Sequence, residues 1–265
     1  MSVYADVVRY RELFQSLFRR DFQARYKGSA LGVVWSLANP LLLMLVYVLV
    51  FSLLWKVTSI AHYPLFLLTG LTVWLFFSAS VQAASRSMLD YADLIKKVRF
   101  PRQLVAFSVV ATQVVVFTAM LVVLIVVNLI VLPETRKTFW VSIPIAAAIV
   151  ALVAGLALAL ASANVVFRDV EHLLAALLLP WFFITPILYS LEELPGGLER
   201  YDTVVDILRW ANPITPPLYA FRDPLFFGEW PALGDVLYTV GVAAGALVLG
   251  AVVFNRVDDR IAVEL

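Results

Sequence analysis

Six long stretches of this sequence contain no aspartate, glutamate, lysine or arginine. They cover residues 28–55, 57–85, 103–133, 138–167, 172–191 and 236–255. A helix needs about 20 residues to cross roughly 30 Å of hydrocarbon, and each stretch reaches that length. The runs are continuously apolar, whereas a membrane β-barrel needs alternation over about 10 residues per strand. The sequence therefore predicts an all-α integral membrane protein.

Six transmembrane helices are predicted, and an even number places both termini on the same side of the membrane. Their predicted bounds are 31–55, 63–85, 103–132, 139–167, 173–191 and 232–254. The composition agrees, because 62% of the residues are hydrophobic and 15% are charged, against about 25% charged in soluble domains. The sequence has no evident internal repeat or linker, so residues 1–265 are predicted to form a single transmembrane domain.

The basic residues are distributed unequally between the two sides. Six lie in residues 1–30 and five in residues 86–102. With Arg168, Arg256 and Arg260, the side that holds both termini has 14, against six on the other side. By the positive-inside rule, both termini and the tail at 255–265 are predicted to be cytoplasmic.

The first 30 residues have the pattern of an amphipathic helix. Aromatic and aliphatic residues recur at steps of three and four, with basic residues between them, at Tyr10, Leu13, Phe14, Leu17, Phe18, Phe22 and Tyr26. This pattern predicts a cytoplasmic interface helix whose basic side faces lipid headgroups. The residues alone leave open whether the helix meets a partner or a lipid-linked substrate, or is a simple anchor.

The connection at 86–102 is too long for a tight turn and is predicted to contain a short helix. Its apolar side would be formed by Met88, Leu89, Ala92 and Ile95. Asp90 and Asp93 near its start and Lys96 and Lys97 near its end suit the helix dipole, and Pro101 ends it. The segment is either a docking helix for a cytoplasmic protein or a solvated loop.

The external stretch at 192–231 is apolar for a loop of its length. Non-helical backbone at membrane depth is tolerated only where protein buries it or where it lines a cavity. The stretch is therefore predicted to form two short re-entrant helices, broken at 212–217, that dip back from the outer face. An ordinary interfacial loop is the alternative.

Several classes of activity lack their sequence signals. The balance of 20 basic and 19 acidic residues argues against a nucleic-acid binder. There is no cysteine, no phosphate-binding loop and no zinc-protease motif, and the two histidines, His62 and His172, are far apart. No metal site is expected, and no carboxylate lies deep within a span to carry protons or sodium. Uphill transport by this chain would need energy from another chain.

Five segments, in order along nearly the whole chain, resemble one known family. They lie at 22–40, 94–102, 167–170, 185–189 and 212–215, and the first two read FQARYKGSALGVVWSLANP and LIKKVRFPR. Together they resemble the membrane subunit of bacterial polysaccharide-export ABC transporters. Such permeases carry O-antigen, teichoic acid and related capsular or galactan chains.

The resemblance implies a six-span permease in the bacterial inner membrane that works as a homodimer with two copies of a separate cytoplasmic ABC ATPase. ATP and magnesium would bind to that ATPase, so this chain is expected to bind no cofactor and to catalyse no reaction. The substrate would be a lipid-linked polysaccharide, and the N-terminal helix would lie beside its entrance. Gly241 and Gly245, four residues apart, have the spacing that allows close helix approach.

The resemblance also implies that the segment near 86–100 is a coupling helix seated in a cleft of the ATPase. Its expected contact residues are Asp90, Tyr91, Leu94, Ile95 and Lys96. Leu94 and Ile95 are expected to be the main apolar anchors.

Aromatic residues are the candidates for the substrate path, because sugar rings present C–H faces that pack on aromatic rings. The candidates are Tyr47, Phe51, Trp74, Phe77, Trp181 and Tyr189. Interfacial tryptophan and tyrosine also form membrane belts, which is the alternative. In the resembling family the re-entrant helices gate the external end of the channel, which implies gate residues Trp210, Asn212, Pro213 and Tyr219.

Two other hypotheses about the function remain. A permease for drugs or small lipids belongs to the same superfamily, although the aromatic content and the loop at 86–102 favour polysaccharide. A membrane-embedded enzyme or a channel belongs to a different class. An enzyme needs a polar catalytic cluster and a channel needs pore-lining polar rings, and the sequence shows neither.

Overall fold

The computed structural model describes residues 3–27, 34–50, 60–191 and 202–264, and the regular structure within these ranges is helical throughout. The α-helices are α1 (Ala5–Arg9), α2 (Arg11–Tyr26), α3 (Val34–Tyr47), α4 (Tyr63–Asp90), α5 (Ala92–Lys97), α6 (Gln103–Val131), α7 (Ser142–Val166), α8 (Val170–Ile184), α9 (Asp202–Trp210), α10 (Thr215–Arg222) and α11 (Leu233–Glu264). Two 3₁₀ segments, Pro133–Lys137 and Phe139–Val141, precede α7, and a π-helical turn at Asp223–Phe227 follows α10. The predicted all-α class is confirmed.

Four of these helices are long and apolar enough to cross a membrane. They span Tyr63–Asp90, Gln103–Val131, Phe139–Val166 and Leu233–Asp259, with 27 to 29 residues each. At about 1.5 Å per residue they exceed the roughly 30 Å of a bilayer's hydrocarbon core. The chain is therefore a multi-pass membrane protein.

Two shorter apolar helices, α3 and α8, occupy the positions of the predicted first and fifth spans. The predicted first span runs to residue 55, and its last part, with Phe51, lies outside the described residues. The predicted fifth span runs to residue 191, but α8 ends at Ile184. The residue before a proline is biased away from helical backbone, and Thr185, which precedes Pro186, is extended with ψ 131°.

At the end of the bundle that holds the N-terminus, two helices run beyond their predicted spans. Helix α4 continues to Asp90, and α11 continues through most of the predicted tail. Ile261 on the extension of α11, and Phe254 just before it, are buried in a second apolar core, separate from the main one. Arg102 at the start of α6 forms an ion pair with Asp258 at 3.0 Å and also donates to the Asp258 carbonyl. The extension is thus part of the packed structure.

Helix α2 lies across α6 with its apolar side inward, as the three- and four-residue spacing requires. Leu17 is buried, whereas Arg19, Arg20 and Arg25 are exposed. The preceding turn is fixed by Tyr4, whose hydroxyl donates to the carbonyl of Leu247 on α11. The N-terminal segment is therefore attached to the helical bundle through both α2 and the turn that precedes it.

Helices α7 and α11 pack most closely, because glycine removes side-chain bulk where they cross. A Cβ atom on Gly155 would overlap the backbone of Ala246, and one on Gly250 would overlap the carbonyl of Gly155. By contrast, Gly241 and Gly245, the pair that the sequence analysis singled out, have open space around them. Their four-residue spacing therefore brings no two helices together within the described part of the chain.

We expect Gly155→Ala to lower the free energy of unfolding by roughly 1–3 kcal/mol, because the added methyl group must push α7 and α11 apart. The matched control is Gly241→Ala, which adds the same methyl group in open space and improves helix propensity. Thermal unfolding of the purified proteins in detergent measures both. Equal unfolding midpoints for the two variants would contradict the close α7–α11 contact.

Candidate coupling and gating sites

The short helix α5 begins immediately after α4, with Tyr91 as the only residue between them. Asp93 lies in its first turn and Lys96 and Lys97 in its last, as the helix dipole favours. Val98 is extended, and the chain then turns through Pro101 into α6. The predicted short helix in this connection is therefore six residues long and begins two residues after Asp90.

Tyr91 joins this helix to the N-terminal segment. Its side chain is 5% exposed, its hydroxyl donates to the carboxylate of Asp21 on α2, and the guanidinium of Arg20 lies 4.4 Å from its ring centre. Asp21 also accepts a hydrogen bond of 2.8 Å from Ser108 on α6. Burial raises the pKa of Tyr91, and its hydrogen bond to Asp21 raises it further, so the hydroxyl keeps its proton.

Ile95 gives α5 its apolar attachment. It is 5% exposed and belongs to the same buried cluster as Leu17 on α2, Met88 on α4 and Leu104 on α6. Leu94 is partly buried beside the cluster. Tyr91 and Ile95, one helical turn apart, therefore both pack inward against other helices of this chain.

This orientation changes the interpretation of the five predicted coupling residues. Asp90 and Lys96 are exposed and Leu94 is partly exposed, whereas Tyr91 and Ile95 point inward. Within this chain, the inward pair of Tyr91 and Ile95 attaches α5 to the bundle, and the coupling assignment stays a prediction. The sequence analysis did not name Val98, which directly follows α5. Its apolar side chain is 52% exposed.

The inward stripe was readable from the spacing of the residues. Met88, Tyr91 and Ile95 recur at steps of three and four, the repeat of one buried helical side. The family resemblance led the sequence analysis to assign Tyr91 and Ile95 to a partner. Nothing local distinguishes an apolar stripe that packs on its own chain from one that packs on another.

Four of the six predicted path residues meet in one aromatic cluster. Trp74 and Phe77 on α4 have ring centres 5.5 Å apart, and Trp181 on α8 lies 5.2 Å from Phe77. Phe182, also on α8, lies 5.7 Å from Trp74 and 5.8 Å from Tyr47 on α3. The cluster packs α3, α4 and α8 together.

The members of this cluster differ from the exposed aromatic residues in their burial, and the path assignment stays a prediction. Trp74 and Phe77 are 5% and 1% exposed within a single chain, so they support a wall and do not line an open surface. The aromatic side chains exposed on the same two outer helices are Trp35 on α3 and Phe183 on α8. Tyr189 lies past the end of α8, where its hydroxyl donates to the carbonyl of Ile184 at 3.1 Å.

Asn212, predicted as a gate residue, is the link between the external helices and the aromatic cluster. It is buried in the turn between α9 and α10, and its Oδ1 accepts from the Trp181 indole at 2.9 Å and from the Ile214 amide at 3.1 Å. Its Nδ2 donates to the Thr185 hydroxyl at 2.9 Å. Pro213 follows in the same turn and is half-buried. Residues assigned by sequence to a path and to a gate thus form one hydrogen-bonded unit.

The other two predicted gate residues lie on either side of that turn. The hydroxyl of Tyr219 is buried and accepts from the Leu191 amide at 3.1 Å. Trp210 is partly exposed, and its carbonyl accepts from the hydroxyl of Tyr238 on α11 at 2.8 Å. An ion pair of 2.9 Å between Arg209 and the buried Asp235 also joins α9 to α11.

Arg222 at the end of α10 is fully buried, although the sequence analysis counted it as an external loop charge. Its guanidinium lies 3.8 Å from the ring centre of Phe66 and donates to the carbonyls of Pro186 at 2.9 Å and Ile187 at 3.3 Å. These carbonyls follow the end of α8, where helical bonding has stopped. Gly70 on α4 leaves room for the guanidinium, since a Cβ atom there would lie 2.5 Å from Nη2.

The described residues contain no group of three or more histidine, cysteine or acidic side chains that could hold a metal ion. The polar side chains described above, such as Asp21, Asn212 and Arg222, bond to other side chains and to the backbone at helix ends. The fold and these sites define a multi-pass helical membrane protein with a short helix presented at one end and a hydrogen-bonded helix break at the other.

Comparison with known proteins gives the family. Residues 12–226 match the family described as ABC-2 type transporter, and the chain belongs to that family. It is 39% identical over 259 residues, 97% of this chain and 96% of the relative, to the O-antigen export system permease protein RfbA of Myxococcus xanthus. An O-antigen export system permease protein RfbA of Klebsiella pneumoniae is 32% identical over 95% of this chain and 94% of its own length.

We expect Arg222→Ala to lower the free energy of unfolding by about 3 kcal/mol, because it leaves a cavity and two unpaired buried carbonyls. Lys137→Ala is the control, since Lys137 is an exposed basic residue near the same end of the bundle. Thermal unfolding in detergent measures both variants. An Arg222→Ala protein as stable as the control would show that the buried guanidinium does not hold the end of α8.

Proposed function

We propose that this chain is the membrane-spanning permease of an ATP-driven exporter that moves lipid-linked polysaccharide, such as O-antigen or teichoic acid, from the cytoplasm across the bacterial inner membrane. The observation that carries the proposal is the similarity to the Myxococcus xanthus permease over 97% of the chain. A match of that extent covers α5, the aromatic cluster and the external helices α9 and α10 together. The proposal therefore applies to a whole permease.

The energy comes from a separate ABC ATPase, which binds the ATP and magnesium, while this chain binds no cofactor. The ATPase contacts α5 through Asp93, Lys96 and Lys97, with Val98 and the exposed part of Leu94 as apolar anchors. Exposed charges around an apolar contact are the usual arrangement of a protein interface. Tyr91 and Ile95 transmit the contact inward to α2 and α6.

The complete transporter is a homodimer with two ATPase copies. Each chain crosses the membrane six times, with α3 and α8 as the first and fifth spans and both termini in the cytoplasm. This topology is supported by the basic residues of 1–30 and 86–102. It places α5 on the same side as the ATPase.

The polysaccharide passes along the exposed faces of α3 and α8, which a second copy of the chain encloses. Trp35 and Phe183 supply aromatic surfaces for sugar rings, since both are more than half exposed. The cluster of Tyr47, Trp74 and Trp181 supports these faces from behind. The turn at Asn212 and Pro213 moves with α8 and controls the external end.

The test is export in a strain that lacks its own O-antigen permease and receives this chain together with a candidate partner ABC ATPase. We expect surface polysaccharide to be restored, and the ATPase to co-purify with the chain. A catalytically inactive ATPase should still co-purify but should not restore export. If the pair assembles but transports drugs or small lipids in place of glycan, the superfamily assignment stands and the cargo is wrong.

The contact at α5 has its own prediction. Val98→Asp should weaken retention of the ATPase by about tenfold or more, because a charge replaces an apolar anchor. Val8→Asp is the matched control, since Val8 is 77% exposed on α1 near the same end of the bundle. Pull-down at graded ATPase concentrations measures both. Equal retention by the two variants would remove Val98 from the interface.

A further inference from the structure

Asn164, the third residue from the end of α7, joins three helices at the end of the bundle that holds both chain termini. Its side chain is fully buried. Its Nδ2 donates to the carbonyl of Ser85 on α4 at 2.9 Å, and its Oδ1 accepts from the backbone amide of Glu171 on α8 at 3.0 Å. One side-chain amide therefore fixes the start of α8 relative to the last two turns of α4.

The bond to Glu171 also caps α8. The first amides of a helix have no partner within that helix, and a side chain at the N-cap position usually accepts from one of them. Asp169 occupies that position, but its side chain bonds to no amide in the first turn of α8, which the structure describes in full. Asn164 supplies an acceptor from the preceding helix instead. The start of α8 is therefore held by the bundle and not by its own connecting turn.

An ion pair lies beside these two hydrogen bonds. Nη1 of Arg86, the residue after Ser85, is 3.0 Å from Oε1 of Glu171. Glu171 is thus held through its backbone by α7 and through its side chain by α4. Because the pair is partly exposed, its contribution to stability is small, but paired charges fix how two neighbouring elements are aligned.

Helix α8 has few other attachments along its length. Its buried side chains form one stripe at four-residue steps, and most of its other side chains are exposed; the stripe consists of Leu174, Leu178 and Phe182. Its far end is held by Asn212 and Arg222. The position of α8 therefore depends on what holds its two ends, and Asn164 holds the first.

Helix α4 leads from Asn164 to the helix proposed to meet the ATPase. It continues from Ser85 to Asp90, and Tyr91 alone separates it from α5. Rigid secondary elements carry displacements between sites, and these last residues of α4 span less than two helical turns. A displacement of α5 therefore moves the carbonyl to which Asn164 donates.

We propose that Asn164 is a positioning residue that passes movement of α5 to α8, with the pair of Arg86 and Glu171 fixing the alignment. The inference rests on the function proposed above, because it takes a partner ATPase to displace α5. Through Tyr91, α5 reaches α2 and α6. Through Asn164, it also reaches α8 and, from there, the turn at Asn212 that controls the external end.

The experiment measures the ATP hydrolysed per glycan exported by the reconstituted full transporter, together with ATPase retention and thermal unfolding in detergent. The variant is Asn164→Leu, which keeps the approximate size of the side chain but removes both hydrogen bonds. The matched control is Asn128→Leu. Asn128 is 1% exposed and donates to the Leu225 carbonyl at 2.6 Å, at the other end of the bundle and outside the route from α5 to α8.

We expect both variants to lower the unfolding midpoint, because each removes a hydrogen bond to buried backbone. Only Asn164→Leu should raise the ATP used per glycan, by about twofold or more, the scale for changes within a coupling network. Destabilisation alone reduces the number of active transporters, so it lowers hydrolysis and export together and leaves this ratio unchanged. Both variants should retain the ATPase, since neither residue lies on α5.

Reversal of the ion pair tests the same connection without removing a buried hydrogen bond. Arg86→Glu and Glu171→Arg each place like charges side by side, so each single variant should raise the ATP used per glycan. The double variant restores opposite charges and should return the ratio towards that of the unaltered chain.

Four results would count against the proposal. A ratio for Asn164→Leu equal to that of an exporting, unaltered chain would overturn the connection alone and leave the proposed function standing. An equal rise in Asn128→Leu would reduce the effect to the loss of any buried asparagine. A double charge reversal no better than the poorer single reversal would remove the ion pair from the connection. An unaltered chain that exports no glycan with the ATPase would overturn the proposed function and the connection together.

Discussion

The hydrogen bond between Tyr91 and Asp21 is the contact on which the proposed transmission of force depends. Helix α5 has six residues, and helices that short have little stability in isolation. Its position is therefore set by its attachments, and Tyr91 and Ile95 are its two buried ones. Asp21 in turn bonds to Ser108, so one carboxylate holds α2, α6 and the start of α5 together. A partner that displaces α5 must move these helices with it.

At the opposite end of the bundle, the hydrogen bonds are explained by the free-energy cost of leaving backbone groups unpaired in an apolar environment. Helix α8 stops at Ile184, and Pro186 has no amide hydrogen to donate. The Arg222 guanidinium donates to the carbonyls of Pro186 and Ile187. Asn212 bonds to the side chains of Thr185 and Trp181. The external helices are thereby attached to the end of α8. Movement of α8 and movement of the external helices are then mechanically linked.

The features predictable from the sequence are those that a single local property determines. Bilayer thickness sets the length of a spanning helix, so the charge-free stretches at 57–85, 103–133 and 138–167 located α4, α6 and α7. The three- and four-residue spacing that locates α2 depends likewise on helix geometry alone. The end of α8 was also readable, because Pro186 is present in the sequence, but continuous hydrophobicity was given more weight.

The features that could not be predicted depend on which helices become neighbours. Arg222 was only counted among the basic residues of the external side, because the carbonyls to which it donates are about 35 residues away in sequence. Trp74 and Phe77 were assigned to a path, because aromatic residues that pack a core and those that line a surface look alike in one chain. The contacts of Ile95 with its own chain could not be predicted for the same reason, since they come from helices distant in sequence.

The most direct test of the attachment of α5 is a double-mutant cycle in the reconstituted transporter. Tyr91→Phe keeps the ring but removes the hydroxyl, and Asp21→Asn keeps the shape but removes the charge. The quantity measured is the amount of ATP hydrolysed per glycan exported. We predict that each single variant raises this ratio while retaining the ATPase, and that the double variant is no worse than the poorer single variant. Unchanged ratios, or losses that add fully, would show that the hydrogen bond does not carry the coupling.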